Sequence, residues 1–168
     1  MMKALVVFYS LEGNIKQTAQ LIAEFAGADL LQLHPVKEYP NKGVKKFLWG
    51  GKSALMGNKP KLQPYIFDAD KYDTIIIGTP VWASTFTPPI RTFIEDNRAA
   101  LDGKKLAAVI SYMGGGAEKT LSKLRNFLEI DRFTEELVLT EPKSAPRTEV
   151  ENKVRNFCLK LKAACGND

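Results

Sequence analysis

The chain has 168 residues, 45% of them hydrophobic, and a formal net charge of +5. That size and apolar content suit one domain over residues 1–168 with a sizeable core, and they exclude a long disordered chain. No apolar run approaches the ~20 residues of a membrane span. The opening run Ala4 to Tyr9 is too short for a secretion signal, so a cytoplasmic protein with no membrane partner is expected.

KALVVFY, residues 3–9, is a continuous apolar run, the pattern of a strand buried on both faces. Ile15, Ala19, Ile22 and Ala26 then recur at helical spacing, and Gly27 marks the end. ADLLQLH, residues 28–34, reads as a shorter strand. It closes on the only histidine, His34, which is given a structural role.

Between Lys37 and Lys61 stand seven lysines and one acid, a local balance of +6 that leaves −1 for the rest of the chain. The segment is either a solvated face or a dock for an acidic partner or a phosphorylated ligand. It lacks the aromatic–basic interleaving of a nucleic-acid binder, so nucleic acid is not expected. GVKKFLWGGKSALMG fits a helix presenting Val44, Phe47, Leu48 and Leu55, although Gly50-Gly51 weighs about 2 kcal/mol against it. WGGKS resembles the tail of a triphosphate-binding loop, but Lys46 stands where its first glycine belongs.

YDTIIIGTP is the clearest central strand. PPIRTFIEDNRAAL follows as a helix with proline at its start and Ile90, Phe93 and Ile94 facing inward. KKLAAVISY is another buried strand, AEKTLSKLRNFL a helix, and TEELVLTEP the last strand. EPKSAPRTE reads as a connection. Thr148 and Glu151 fit a capping box ahead of the stripe Val150, Val154, Phe157, Leu161 and Cys165. On that helix Cys158 and Cys165 lie about 10.5 Å apart in rise, too far to bridge. No Cys/His cluster suggests a metal.

This alternation of strand and helix, with right-handed crossovers, gives a doubly wound parallel sheet of five strands in the order 2-1-3-4-5, helices on both faces. Ligands of such sheets sit beyond the carboxyl ends of strands 1, 3 and 4. Those ends carry SLEGN, TPVWASTFTPP and SYMGGG. The first opens a helix, whose free amides and dipole suit a phosphate. The second holds Trp82, which either stacks on a flat ring or covers the sheet edge. The third has three glycines, which permit close backbone approach or serve as a flexible link.

YSLEGNIKQTA, YDTIIIGTPVWASTFTPPIRTFI and ISYMGGG, in this order, resemble the flavodoxin family over nearly the whole chain. The resemblance implies a flavodoxin-like three-layer α/β/α fold, bound FMN and electron transfer. It implies a phosphate held by Ser10, Glu12, Gly13, Asn14 and Ile15. It implies a flavin ring contacted by Pro80, Val81, Trp82 and Ala83, and by Tyr112, Met113, Gly114, Gly115 and Gly116. Glu12 and Ile15 stand where the family offers hydroxyls, and Glu12 is expected to turn its carboxylate to solvent. WAST lacks the family's glycine, so a left-handed turn there is expected to be costly. No side-chain acid, base or nucleophile stands out at the rim. The expected partners are a redox protein, acidic if it docks at residues 37–61, or NAD(P)H with a small acceptor in a quinone-reductase type of enzyme. A binding module without redox chemistry is the third reading.

Overall fold

The computed structural model describes residues 1–41 and 43–166, with the backbone alone over 43–48. Five strands, β1 (Ala4–Phe8), β2 (Asp29–Gln32), β3 (Thr74–Pro80), β4 (Lys105–Tyr112) and β5 (Glu136–Thr140), form one parallel sheet in the order β2-β1-β3-β4-β5. The helices are α1 (Asn14–Ala26), α2 (Gly43–Leu55), α3 (Pro88–Asp96), the short α4 (Arg98–Leu101), α5 (Ala117–Leu128) and α6 (Arg147–Cys165). The chain order and the sheet order match the expectation from sequence.

Alternate residues of the central strands feed two cores. Val6, Phe8 and Ile76 pack with Ile15, Ile22, Val154 and Leu161 of α1 and α6. Leu5, Val7 and Ile77 pack on the other face with Ile90, Phe93 and Leu121 of α3 and α5. The three stripes read from α1, α3 and α6 are therefore the buried faces. Gly27 ends α1 at φ 69, its amide donating to the Ala23 carbonyl. Among the described residues, no helix is long and apolar enough to cross a membrane. Both cysteines are free.

Two details depart from the sequence reading. Leu55 is exposed, and Ser53 and Ala54 take the buried positions at that end of α2. Val44, Phe47 and Leu48 lie outside the described side chains. Thr148 and Glu151 form no capping box. The helix starts at Arg147 after Pro146, which has no amide to satisfy, and Glu151 accepts from Arg147 Nε at 2.6 Å. His34 keeps a half-exposed side chain, 3.8 Å from Glu38.

One close contact sets the site. An ideal Cβ on Gly78 in β3 would lie 2.9 Å from Phe8 Cβ and 3.0 Å from Ile15 Cγ2. Only glycine lets the first turn of α1 settle this near the sheet. Ile15 is thereby buried, and the loop before it is drawn to the strand ends.

Candidate functional site

The first loop is closed by Ser10. Its Oγ accepts from the amides of Gly13 and Lys16, each at 3.1 Å. Gly13, at φ 91, caps α1 and offers its carbonyl to the Gln17 amide at 3.0 Å. The Gly13 amide, expected to face a phosphate, is engaged by Ser10 instead. The amides of Asn14 and Ile15 begin the helix, where no intrahelical partner exists, and no described hydrogen bond engages them. With two bonds accepted, Ser10 keeps its hydroxyl proton to donate. Ile15 turns its side chain into the core and can bring only its amide. Glu12 is exposed at the rim, as its charge requires.

The second loop is a two-residue hairpin. Trp82 and Thr85 exchange both backbone bonds, at 2.9 and 3.0 Å, across Ala83 and Ser84. Those two residues sit at φ 50 and φ 57, the left-handed pair such a turn demands. The strain expected of a glycine-free loop is thus present, at roughly 1–2 kcal/mol per residue, and the surrounding bonds hold it. Thr79 Oγ1 accepts from the Thr87 amide at 3.1 Å, and Val81 donates to the Ser111 carbonyl at 2.9 Å.

Trp82 is half-buried. Tyr9 and Tyr39 meet it edge-to-face, with centroids 5.6 and 5.1 Å away. A Cβ on Gly50 would lie 3.2 Å from its Cε3. Gly50, which weakens α2 as a helix, allows this helix to approach the loop, while a Cβ on Gly51 would make only ordinary contact with Ala83 at 3.6 Å. Tyr9 is buried to 2% exposure and its hydroxyl has no hydrogen-bond partner. Burial raises the Tyr9 pKa well above the ordinary phenol value, and the nearby Glu38 and Tyr39 add to the shift. Burial also raises Tyr39, whose bond to Ser53 opposes the shift.

The third loop uses its glycines as left-handed backbone. Gly114 and Gly116 stand at φ 78 and φ 89, and Gly116 caps α5. A Cβ on Gly116 would lie 2.7 Å from Ser84 Oγ, so the second and third loops touch there.

A fourth loop, between β5 and α6, which the sequence reads only as a connection, braces the first loop. The Glu141 amide donates to the Tyr112 carbonyl at 3.1 Å. Lys143 donates its amide to Asn14 Oδ1 at 3.0 Å and its ammonium to the Glu12 carbonyl at 2.7 Å. No motif marks this lysine. Its role follows from the loop's position beside the first loop.

The first three loops, with Gly51 of α2, enclose a cleft of about 330 Å³. Of the expected residues, Glu12, Asn14, Pro80, Val81, Trp82 and Ala83 line it, as do Tyr112, Met113 and Gly115. Ser10 and Ile15 line a smaller adjoining hollow of about 40 Å³. Gly13, Gly114 and Gly116 line neither and instead shape the turns. Gly51, Ser84 and Ser111 are lining residues the sequence reading missed. On the far side of Tyr39 lies a second cleft of about 1050 Å³, walled by Tyr39, Trp49 and Met56 and rimmed by Lys37, Lys52 and Lys61. Lys59 is paired to Glu95 and Asp96, at 3.0 Å each. Lys42, Lys45 and Lys46 lie outside the described side chains. No group of metal-ligating side chains occurs among the described residues.

A family model described as Flavodoxin matches residues 3–157. A protein from Bacteroides eggerthii provisionally assigned as a flavoprotein is 19% identical, with TM-score 0.73 over 94% of this chain and 98% of that one. A flavoprotein in complex with FMN from Lactobacillus acidophilus is 22% identical, with TM-score 0.69 over 85% and 95%. Oxidised flavodoxin 1 from Bacillus cereus is 18% identical, with TM-score 0.59 over 96% and 97%. At these identities the solved structures speak for the fold.

Proposed function

The chain belongs to the flavodoxin family, and from that premise we propose that it binds FMN across the first three loops and transfers electrons. The observation that carries the reading is the pair of unengaged amides at Asn14 and Ile15, set beside an aromatic-walled cleft of about 330 Å³. That volume falls in the range of small-ligand sites. The residues fit the cofactor. Asn14 and Ile15 offer amides to a phosphate at the positive end of the α1 dipole, and Ser10 offers a hydroxyl proton. Trp82, Tyr112 and the glycine backbone would cover the ring.

FMN, when bound, supplies the redox chemistry. The chain's part is to hold it, limit water at the ring and orient backbone groups toward it. Among the described residues the cleft presents no histidine, cysteine or lysine, and its one carboxylate, Glu12, is exposed. That favours electron or hydride transfer over hydrolysis.

The larger cleft supports a partner reading. Lys37, Lys52 and Lys61 surround exposed Trp49 and Met56, and Tyr39 links this wall to Trp82. An acidic redox protein suits that surface better than a neutral one, because the lysines steer an acidic partner into contact. The alternative donor, NAD(P)H, is separated by a steady-state oxidation assay with a quinone acceptor.

The primary test is titration of flavin-free protein with FMN, followed by quenching of flavin fluorescence. Saturable one-to-one binding is expected, and Trp82→Ala should weaken it by roughly 1–3 kcal/mol. Absence of binding overturns the reading.

A further inference from the structure

We infer that Lys143 is a positioning residue for the cofactor phosphate, fixing the first loop and bringing a positive charge to it. The inference rests on the FMN reading above and goes beyond it, because it assigns a role to a residue outside the three sequence motifs.

Three contacts place the lysine. Its ammonium donates to the Glu12 carbonyl at 2.7 Å. Its amide donates to Asn14 Oδ1 at 3.0 Å. Its Cδ and Nζ lie 3.4 and 3.5 Å from where a Cβ on Gly13 would stand. The lysine end therefore lies in van der Waals contact with the side-chain position of Gly13, one residue before the two unengaged amides. The turn that presents it is built. Glu141 takes φ 39, Pro142 is buried, and the Glu141 carbonyl accepts from the Ser144 and Ala145 amides at 2.8 and 3.1 Å.

The placement does two things to an anion at the loop. It fixes the Glu12–Gly13 peptide, and so the direction of the amides that follow. It also brings a full positive charge to the loop, which attracts an anion bound there. Neither effect reaches a ligand without a phosphate to the same degree.

The test uses full-length flavin-free protein, titrated with FMN and with riboflavin across ionic strength. The unmodified chain, Lys143→Met and Lys143→Arg are compared. Lys143→Met should weaken FMN binding about tenfold or more, the scale of one bond to a charged group, and riboflavin binding less than about threefold. It should also flatten the salt dependence of FMN binding. Lys143→Arg should keep most of the FMN preference. Because Lys143 is exposed, melting temperatures should stay close, and they are measured alongside. Equal weakening of both flavins would make the lysine a loop clamp only and overturn the proposal, as would unchanged FMN binding. If the unmodified protein binds no FMN, the underlying reading falls and this one with it, a result distinct from either.

Discussion

Gly116→Ala tests whether the second and third loops are held against each other. Gly116 sits at φ 89, which costs an alanine roughly 1–2 kcal/mol. The added methyl would also stand 2.7 Å from Ser84 Oγ, 3.1 Å from its Cα and 3.2 Å from its Cβ. The hydroxyl can rotate away, but the Cα cannot, so a further overpacking cost of about 2 kcal/mol applies. Stiffening of the unfolded chain returns roughly 0.4–1 kcal/mol. The net loss is about 3 kcal/mol, or roughly 6–12 °C in melting temperature for a domain of this size. Gly114→Ala is the control: its φ is 78, with nothing within 4 Å of the added methyl. It should lose only about 1 kcal/mol. Ser84→Gly removes the Oγ and Cβ that oppose the added methyl, so the double variant should recover about 1 kcal/mol over additivity. The assay is urea unfolding of the unmodified protein and the four variants with flavin absent. A Gly116→Ala loss no larger than that of Gly114→Ala would refute the loop contact.

Gly78→Ala should destabilise the fold by about 2–3 kcal/mol in urea unfolding, because its methyl meets Phe8 and Ile15 at 2.9 and 3.0 Å in a closed core. Glu129→Gly should raise stability by about 0.5–1 kcal/mol, since Glu129 ends α5 at φ 59 and its ion pair with Arg98, at 3.9 Å, is exposed. Partial burial would raise the Asp73 carboxyl, but bonds from Thr74 and the Lys3 amide outweigh it and hold its pKa below the ordinary value. A lowered folded pKa contributes stability above the unfolded value and loses it as pH falls. Asp73→Asn should therefore be less stable at pH 7, and its deficit should shrink below about pH 4 in melting curves. Burial pushes the Cys158 thiol up to about 11, so a thiol reagent at pH 8 should label Cys158 only once the chain unfolds.

The amino-acid pattern alone determined the strand–helix alternation, and with it the sheet order and the edge at which the cleft opens. Uninterrupted apolar runs such as TIIIG belong to strands covered on both faces, and right-handed crossovers leave few ways to connect them. The faces of α1, α3 and α6 were equally legible, because burial follows helical spacing. The composition of three loops pointed to most of the cleft. What the sequence could not carry were facts of non-local approach. Gly50 looks like a flaw in a helix until Trp82 is found against it. The left-handed pair Ala83 and Ser84 contradicts local preference and persists because Trp82 and Thr85 close over it. Ser10 engages the Gly13 amide, a choice set by how the turn folds back. Lys143 lies 131 residues from Glu12 along the chain and 2.7 Å from its carbonyl in space. No periodicity links two such positions, and only the sheet, by setting β1 and β5 in register through β3 and β4, brings their loops together.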